Sequence, residues 1–525
     1  MILDNSRTKS AKINSITASS VQFLSLITQF IARTIFIFTL GESYLGLNGL
    51  LTNILNILSF SELGIGAAFT FLLYEPLAHH DENKISALVR LYGIIYRRIA
   101  LIIMSLGLIL MPFLPYLIYG KTNVVGNIYL AFFLFLLNTV FSYLWNYKRS
   151  IFLADQAGYL NSLNTFAFQF GAQITQIILL LNWPNYYIYL VIQILFTIAS
   201  NFQISKMIDR KYPFLKNKIV HKVGPATRSY LKKNVIGMMS SKLGGVIIFS
   251  TDNLLISAFL GLVSVGKYSN YTLILSGITN VVGQGVGAVT ASIGHLNVTA
   301  GKERQNSIFY KYSYLSGIIG LAVSIGLITY FDPFITLWLG SKYVLSPLLT
   351  WLIVVSFFIT QLRQANINFT NAYGLYWEQR YKPIFEAAIN LIISIVLLKL
   401  TNLGISSVII GTIISNLVIN SWWEPMILLK YGLKNNIVEY AKFYLTQLVS
   451  GVMLITMAQY IVRTLSMASD IVKSTALTTL IIIIATMIFE CLVIFYGYPK
   501  SAGKISVVGI VVHILQGRKT KEKYE

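Results

Sequence analysis

Three cations fall inside apolar runs long enough to cross a membrane: Arg33, Lys242 and Arg363. A guanidinium at bilayer depth costs about 2.5–3.5 kcal/mol on insertion scales, so it is expected to face a cavity or a partner. Arg33 sits near the middle of its run, too far from either end to snorkel to the headgroups. Lys242, within Ser240–Gly245, and Arg363, amid Gln361, Gln364, Asn366 and Asn368, lie near the cytoplasmic ends of theirs, where snorkelling is the competing reading. A cavity lined by arginine and amides suits an anionic, hydrogen-bonding substrate, because guanidinium groups grip phosphate through parallel N–H bonds. Arg33, Lys242, Arg363, Gln364 and Glu62 are therefore the expected substrate-binding residues, with Glu62 either pairing with Arg33 or gating the cavity. Asp252 is the alternative ion-pair partner for Arg33. Asp252 also heads a second set: Glu386 and Asn390 stand one helical turn apart, and with an oxygen such as that of Thr412 they could hold Na⁺, or a proton could occupy Asp252. Glu386 lies three residues past Pro383, so headgroup-level snorkelling competes there too.

Covalent chemistry is not expected. There is no Walker loop, no HExxH and no GxSxG, and Gly283-Gln284-Gly285-Val286-Gly287 has no strand before it, so its small residues read as close helix packing. His79-His80, beside Asp81 and Glu82, reads as a hydrated turn rather than a metal site, and the single Cys491 excludes a disulfide. No resident metal or organic cofactor is expected, Na⁺ or H⁺ entering only as a coupling ion.

The elements that must hold these residues are membrane spans. Of 525 residues 55% are hydrophobic and 11% charged, with a mean hydropathy of +0.67; a soluble domain carries about 25% charged residues. Apolar runs near 20 residues predict fourteen spans, at 16–40, 46–74, 92–119, 126–147, 153–181, 185–205, 234–258, 266–293, 309–331, 344–368, 383–400, 404–429, 440–462 and 475–497. Turns are expected at Asn182-Trp183-Pro184-Asn185 and Asp332-Pro333. With the N-terminus inside, the outside loops hold only Lys121, Lys267, Lys342, Lys399, Arg463 and Lys473. The rest of the 41 Lys and Arg, apart from the three within spans, fall on alternate, cytoplasmic segments. Both termini are thus expected in the cytoplasm. The net charge of +22 spreads along a face that attracts anionic lipid, which excludes a nucleic-acid partner. The first apolar run is too long for a signal-peptide core and is expected to stay as helix 1. All seven Trp lie near span ends, as an interfacial belt requires.

The chain also repeats. Leu40, Gly41 and Gly46 recur as Leu260, Gly261 and Gly266; Gly64–Ala68 answers Gly285–Val289, and Leu117–Gly120 answers Leu337–Gly340, all offset by 220 or 221. A duplicated unit of six spans has the same orientation in both copies, so the copies are related by an axis along the membrane normal, and transporters built this way bind substrate between halves. The expected organisation is an N-lobe at 1–205, a basic cytoplasmic linker at 206–233 that is either amphipathic or simply solvated, a C-lobe at 234–430, and two extra helices with a basic tail at 431–525.

Residues 30–78, FIARTIFIFTLGESYLGLNGLLTNILNILSFSELGIGAAFTFLLYEPLA, and 147–156, YKRSIFLADQ, resemble the Wzx-type polysaccharide flippases of the multidrug/oligosaccharidyl-lipid/polysaccharide exporter superfamily. The resemblance implies an all-α fold of 14 spans and a basic cavity in a bacterial plasma membrane. It implies flipping of an undecaprenyl-diphosphate-linked oligosaccharide repeat unit to the outer face, for capsule or exopolysaccharide assembly. Arg33 would contact the diphosphate or sugar acids, and a polysaccharide polymerase and glycosyltransferases would be partners. The lipid II flippases of that superfamily carry an ion site on helices 7, 11 and 12, to which Asp252, Glu386, Asn390 and Thr412 match loosely. A cation-coupled drug or metabolite exporter, and a lipid II or teichoic-acid precursor flippase, are the alternatives. A membrane glycosyltransferase fits poorly, since the expected outside loops are too short to house a catalytic site.

Overall fold

In a computed structural model of the protein, the residues described are 5–59, 65–118, 126–155, 157–216, 224, 250–375, 378–464 and 471–499. Every regular element among them is helical. The first half comprises α1 (Asn5–Leu40), α2 (Glu42–Leu58), α3 (Ile65–Ala78), α4 (Glu82–Leu110), α5 (Ile128–Tyr143), α6 (Arg149–Ala154), α7 (Gly158–Asn182) and α8 (Tyr186–Lys211). After 250–260, taken as α9, come α10 (Leu262–Thr299), α11 (Lys302–Leu339), α12 (Pro347–Tyr373), α13 (Lys382–Leu400), α14 (Ile405–Ser415), α15 (Ser421–Ile427), α16 (Ile437–Thr464) and α17 (Ile471–Leu492).

Ten described stretches are long and apolar enough to span a bilayer. The chain is a multi-pass α-helical membrane protein. Of the other four expected spans, 46–74 is divided into α2 and α3 around residues outside the described set, and 234–258 lies outside it except for 250–258, which are helical in α9. The run at 266–293 is helical within α10. The run at 153–181 becomes α7, 25 residues long but too rich in glutamine and asparagine to rank as apolar. The linker beyond Lys216, apart from residue 224, lies outside the described residues, as do Glu62 and Lys242.

The expected turn at 182–185 forms, with the Asn185 side chain accepting from Tyr187 N and Ile188 N to cap α8. That at Asp332-Pro333 does not: α11 continues through Pro333 and ends at Gly340, φ +99°. A membrane helix tolerates proline because neighbouring groups absorb the lost bond. Between α5 and α7 the chain does not simply turn either. Trp145, at φ +66°, redirects it into a 3-10 turn at Asn146–Lys148 and then α6. His79 and His80 are exposed in the α3–α4 turn, where the Asp81 side chain accepts from Lys84 N at 2.9 Å and caps α4.

Two compact units emerge, residues 1–278 with 394–408, and 279–393 with 409–525. In the first unit α1 packs along α7, α5 and α7 against α8, and α4 against α5. The 220-residue repeat is visible here as geometry. Gly41 (φ +89°) separates α1 from α2 and Gly261 (φ +81°) separates α9 from α10, conformations that favour glycine. A Cβ on Gly46 would stand 1.8 Å from the Leu262 carbonyl oxygen, and one on Gly266 2.7 Å from that of Glu42. Since 42 corresponds to 262 and 46 to 266, the contact is reciprocal, the signature of a two-fold pair. It draws α10 beside α1, so that Leu26 meets Gly277 and Arg33 meets Ser269 and Asn270, an antiparallel pairing. In the second unit α11 packs on α12, α16 and α17, and α12 on α15 and α16. Phe358 lies against Gly451 there, within 2.1 Å of where a Cβ would stand.

Candidate functional site

The first unit holds a half-open cavity of about 730 Å³ lined by α1, α2, α7, α8, the 142–149 segment and Leu273 of α10. Its lining follows from helical periodicity. Gln29, Ala32, Arg33 and Phe36 share one face of α1; Thr165, Gln169, Gln173 and Gln176 form a stripe along α7; Gln193, Thr197, Ser200 and Asn201 form another along α8. Because α7 and α8 are joined by a short turn, the stripes face each other in antiparallel sense. Gln176 Nε2 donates to the Tyr189 carbonyl at 2.9 Å near one end, and Asn164 Nδ2 to Gln203 Oε1 at 3.0 Å near the other.

Two guanidinium groups line this cavity, and among the described lining residues there is no carboxylate. Arg33 is half-buried; its Nε donates to Asn270 Oδ1 at 2.8 Å and its Nη2 to Ser269 Oγ. The partners are neutral, so the hydrogen bonds orient the charge without cancelling it. Arg149 donates through Nη1 to Thr165 Oγ1 (2.9 Å) and through Nη2 to Asn164 Oδ1 (2.9 Å), Ser200 Oγ (3.0 Å) and Asn201 Oδ1 (3.2 Å). Eight amide side chains complete the wall with Phe36, Phe168, Phe196 and Tyr189. Such a surface offers hydrogen bonds suited to hydroxyls and charge suited to an anion.

A second polar cluster lies in the second unit. Arg363, only 7% exposed, forks onto Glu424, Nε to Oε2 at 3.1 Å and Nη2 to Oε1 at 2.5 Å. Lys382 Nζ reaches Glu424 Oε1 at 2.6 Å and Glu386 Oε2 at 3.6 Å. Asn416 accepts from Arg363 Nη1, and Asn420 donates to Glu386. Lys382, Glu386 and Asn390 recur every fourth residue on α13, and Thr412, Asn416, Asn420 and Glu424 do so across α14, a π-helical turn at Asn416–Asn420 and α15. The two rows form a zipper closed at its other end by Asn390 Nδ2 donating to Thr412 Oγ1 at 2.8 Å.

Of the expected binding residues, the structure therefore places Arg33 in the cavity and Arg363 in a buried ion pair. Gln364 donates to Asn368 Oδ1 on its own helix at 3.1 Å. Of the expected ion-coupling residues, Glu386, Asn390 and Thr412 share the zipper, while Asp252 is buried in the first unit on α9. As arranged, the zipper does not fit a bound cation: the Lys382 ammonium already lies between both carboxylates, and Asn390 bonds directly to Thr412. Arg149 was missed, because the sequence places it between two spans. The signal that could have found its site is the polar stripe on α7 at helical spacing, within the run at 153–181.

No protein-family model matches the chain, and no curated protein does. Solved structures do. The lipid II flippase MurJ, in an inward closed conformation, superposes with a TM-score of 0.61 at 17% identity, over 90% of this chain and 98% of that one. A MATE transporter, VcmN, from Vibrio cholerae gives 0.58 at 16% identity, over 83% and 99%. A MOP superfamily transporter from Pyrococcus furiosus, described by the reverse polarity of its binding pocket, gives 0.51 at 15%, over 82% and 97%. Identities this low speak to architecture alone, and over most of its length the chain has the all-α fold of these transporters.

Proposed function

We propose that the protein is a flippase that moves undecaprenyl-diphosphate-linked oligosaccharide repeat units from the cytoplasmic to the outer face of a bacterial cell membrane by alternating access, for capsule or exopolysaccharide assembly. The observation that carries this reading is the cavity with two arginines, eight amides and no carboxylate among the described lining residues. The reading assigns Arg33 to the diphosphate: its partners among the described residues are neutral, and in a partly dehydrated cavity a phosphate gains more from its charge than water would. The amides take sugar hydroxyls. At about 730 Å³ the cavity suits a head portion of drug-like size, leaving the polyprenyl chain in lipid. No covalent bond changes, so the reading is of a carrier rather than an enzyme. Polymerase and glycosyltransferase partners, cytoplasmic termini and contact of the basic segments with anionic lipid belong to the same proposal. Na⁺ or H⁺ coupling, expected at Asp252, Glu386, Asn390 and Thr412, enters no step of it.

The second reading, a lipid II or teichoic-acid precursor flippase, uses the same diphosphate-plus-sugar chemistry and draws on the likeness to MurJ. A carrier of cationic drugs would need carboxylates in the cavity wall, which the described residues do not provide. Depleting the protein and analysing lipid-linked sugars tests the proposal. Complete repeat units should accumulate on the cytoplasmic face, and Arg33→Ala should reproduce the block while inserting normally. Normal surface polysaccharide with Arg33→Ala would overturn the role given to that residue.

A further inference from the structure

The segment carrying Arg149 is rich in charge, yet Arg149 receives none of the neighbouring acids. Lys148 Nζ engages both carboxylate oxygens of Asp209, at 2.7 and 2.8 Å. Asp155 is taken by Lys211 at 2.6 Å and by the Tyr212 hydroxyl at 2.5 Å. Arg149 is left with four neutral acceptors, Thr165, Asn164, Ser200 and Asn201, and its buried Nε–H has no acceptor among the described residues. Asn164, Ser200 and Asn201 are themselves buried, so the cradle is built rather than incidental. A cation held this way is oriented but not neutralised, and a half-buried one is stabilised by an incoming anion.

Position matters as much as charge. Arg149 meets α7 at Thr165, one end of the polar stripe. Arg33 belongs to the other end: Phe36, one turn along the same face of α1, packs edge-on against Tyr189 with ring centroids 5.0 Å apart, and the Tyr189 carbonyl accepts from Gln176. Thr165 and Gln176 are separated by three turns, roughly 16 Å at 1.5 Å per residue. A diphosphate is shorter than this stripe, so one held near its Gln176 end leaves the Thr165 end for another group. Between them lie amides and the facing rings of Phe168 and Phe196, with centroids 6.5 Å apart.

We infer that the Arg149 end is a second anion subsite, which takes an acidic substituent of the glycan (a sugar carboxylate or a phosphate) while Arg33 holds the diphosphate. The inference rests on the transport reading above and narrows it: the repeat unit carried is itself acidic.

The test uses the full-length protein in nanodiscs and three probes, trigalacturonate, maltotriose and inorganic pyrophosphate, followed by calorimetry. Wild type should prefer trigalacturonate over maltotriose by roughly tenfold or more, the scale of one charge-assisted contact. Arg149→Gln should erase that preference, and pyrophosphate should lose more affinity in Arg33→Gln than in Arg149→Gln. A wild type without the preference, or an Arg149→Gln protein that keeps it, overturns the subsite, as does pyrophosphate depending mainly on Arg149, which would make that end the diphosphate site. Should Arg149→Gln not fold, Arg149→Lys keeps the charge without the fork; a preference cut severalfold supports the inference and an unchanged one defeats it. Export in cells separates the two levels. If Arg33→Gln blocks export while Arg149 proves indifferent to acidic sugars, transport stands and the subsite falls; if Arg33→Gln exports normally, the transport reading fails.

Discussion

Arg33 and Arg149 in the first unit and Arg363 in the second are the same residue type, and they are held in opposite ways. The first two face a cavity and are steadied by serine, threonine and asparagine oxygens. Arg363 forks onto Glu424, which also takes Lys382, within a cluster of two cations and two acids. A buried charge with a matched counter-ion has spent its electrostatic attraction inside the protein and mainly specifies structure. A charge held by neutral dipoles keeps that attraction for a ligand. What distinguishes the cavity arginines from Arg363, among the described residues, is the formal charge of their partners.

The sharpest way to break this comparison is to remove each charge in turn. Arg363→Met leaves Glu424 short of its main partner and should cost about 3–5 kcal/mol, read as a fall in thermal unfolding temperature of the purified protein in detergent. Arg33→Ala should cost less, about 1–3 kcal/mol, from the hydrogen bonds it leaves unmade at Asn270 and Ser269, while export collapses. The opposite order of stabilities would refute the assignment of roles. A smaller effect probes the scaffold behind Arg33. Gly46→Ala drives a methyl into the Leu262 carbonyl and should cost about 1–3 kcal/mol; Gly266→Ala, with a wider gap to Glu42 O, should cost less by the same measurement. Equal, negligible losses would mean that the reciprocal helix contact does not position α10. The smallest effect is expected at an exposed pair. Lys84 and Glu75 meet at 3.2 Å with side chains 41% and 71% exposed, and Lys84→Ala should change stability by less than about 1 kcal/mol. A larger loss would show that partner charge alone, irrespective of burial, governs stability.

Much of the fold was legible beforehand. Long apolar runs can satisfy their backbone groups in lipid only as helices, so the all-α class followed from hydropathy. The glycines at 41, 46, 261 and 266 disclosed the duplication, because positive φ and close backbone approach leave few other residues acceptable. Arg33 stood out as an ionised group with no route to water. The turn expected at Pro333 failed because a local rule about proline yields to its surroundings inside a membrane helix.

Sequence by itself determined which residues lie at membrane depth and which helices repeat, since both depend on composition and spacing along one chain. It could not decide what each charge faces. Arg33 finds Asn270 at a separation of 237 residues, and Arg363 finds Glu424 at 61, and neither separation is marked by any local pattern. The glutamines of α7 become a cavity wall only when α1 and α8 are packed beside them. Whether a buried guanidinium is neutralised or left waiting for an anion depends on the sum of charges within a few ångströms, and that sum exists only after the helices have assembled.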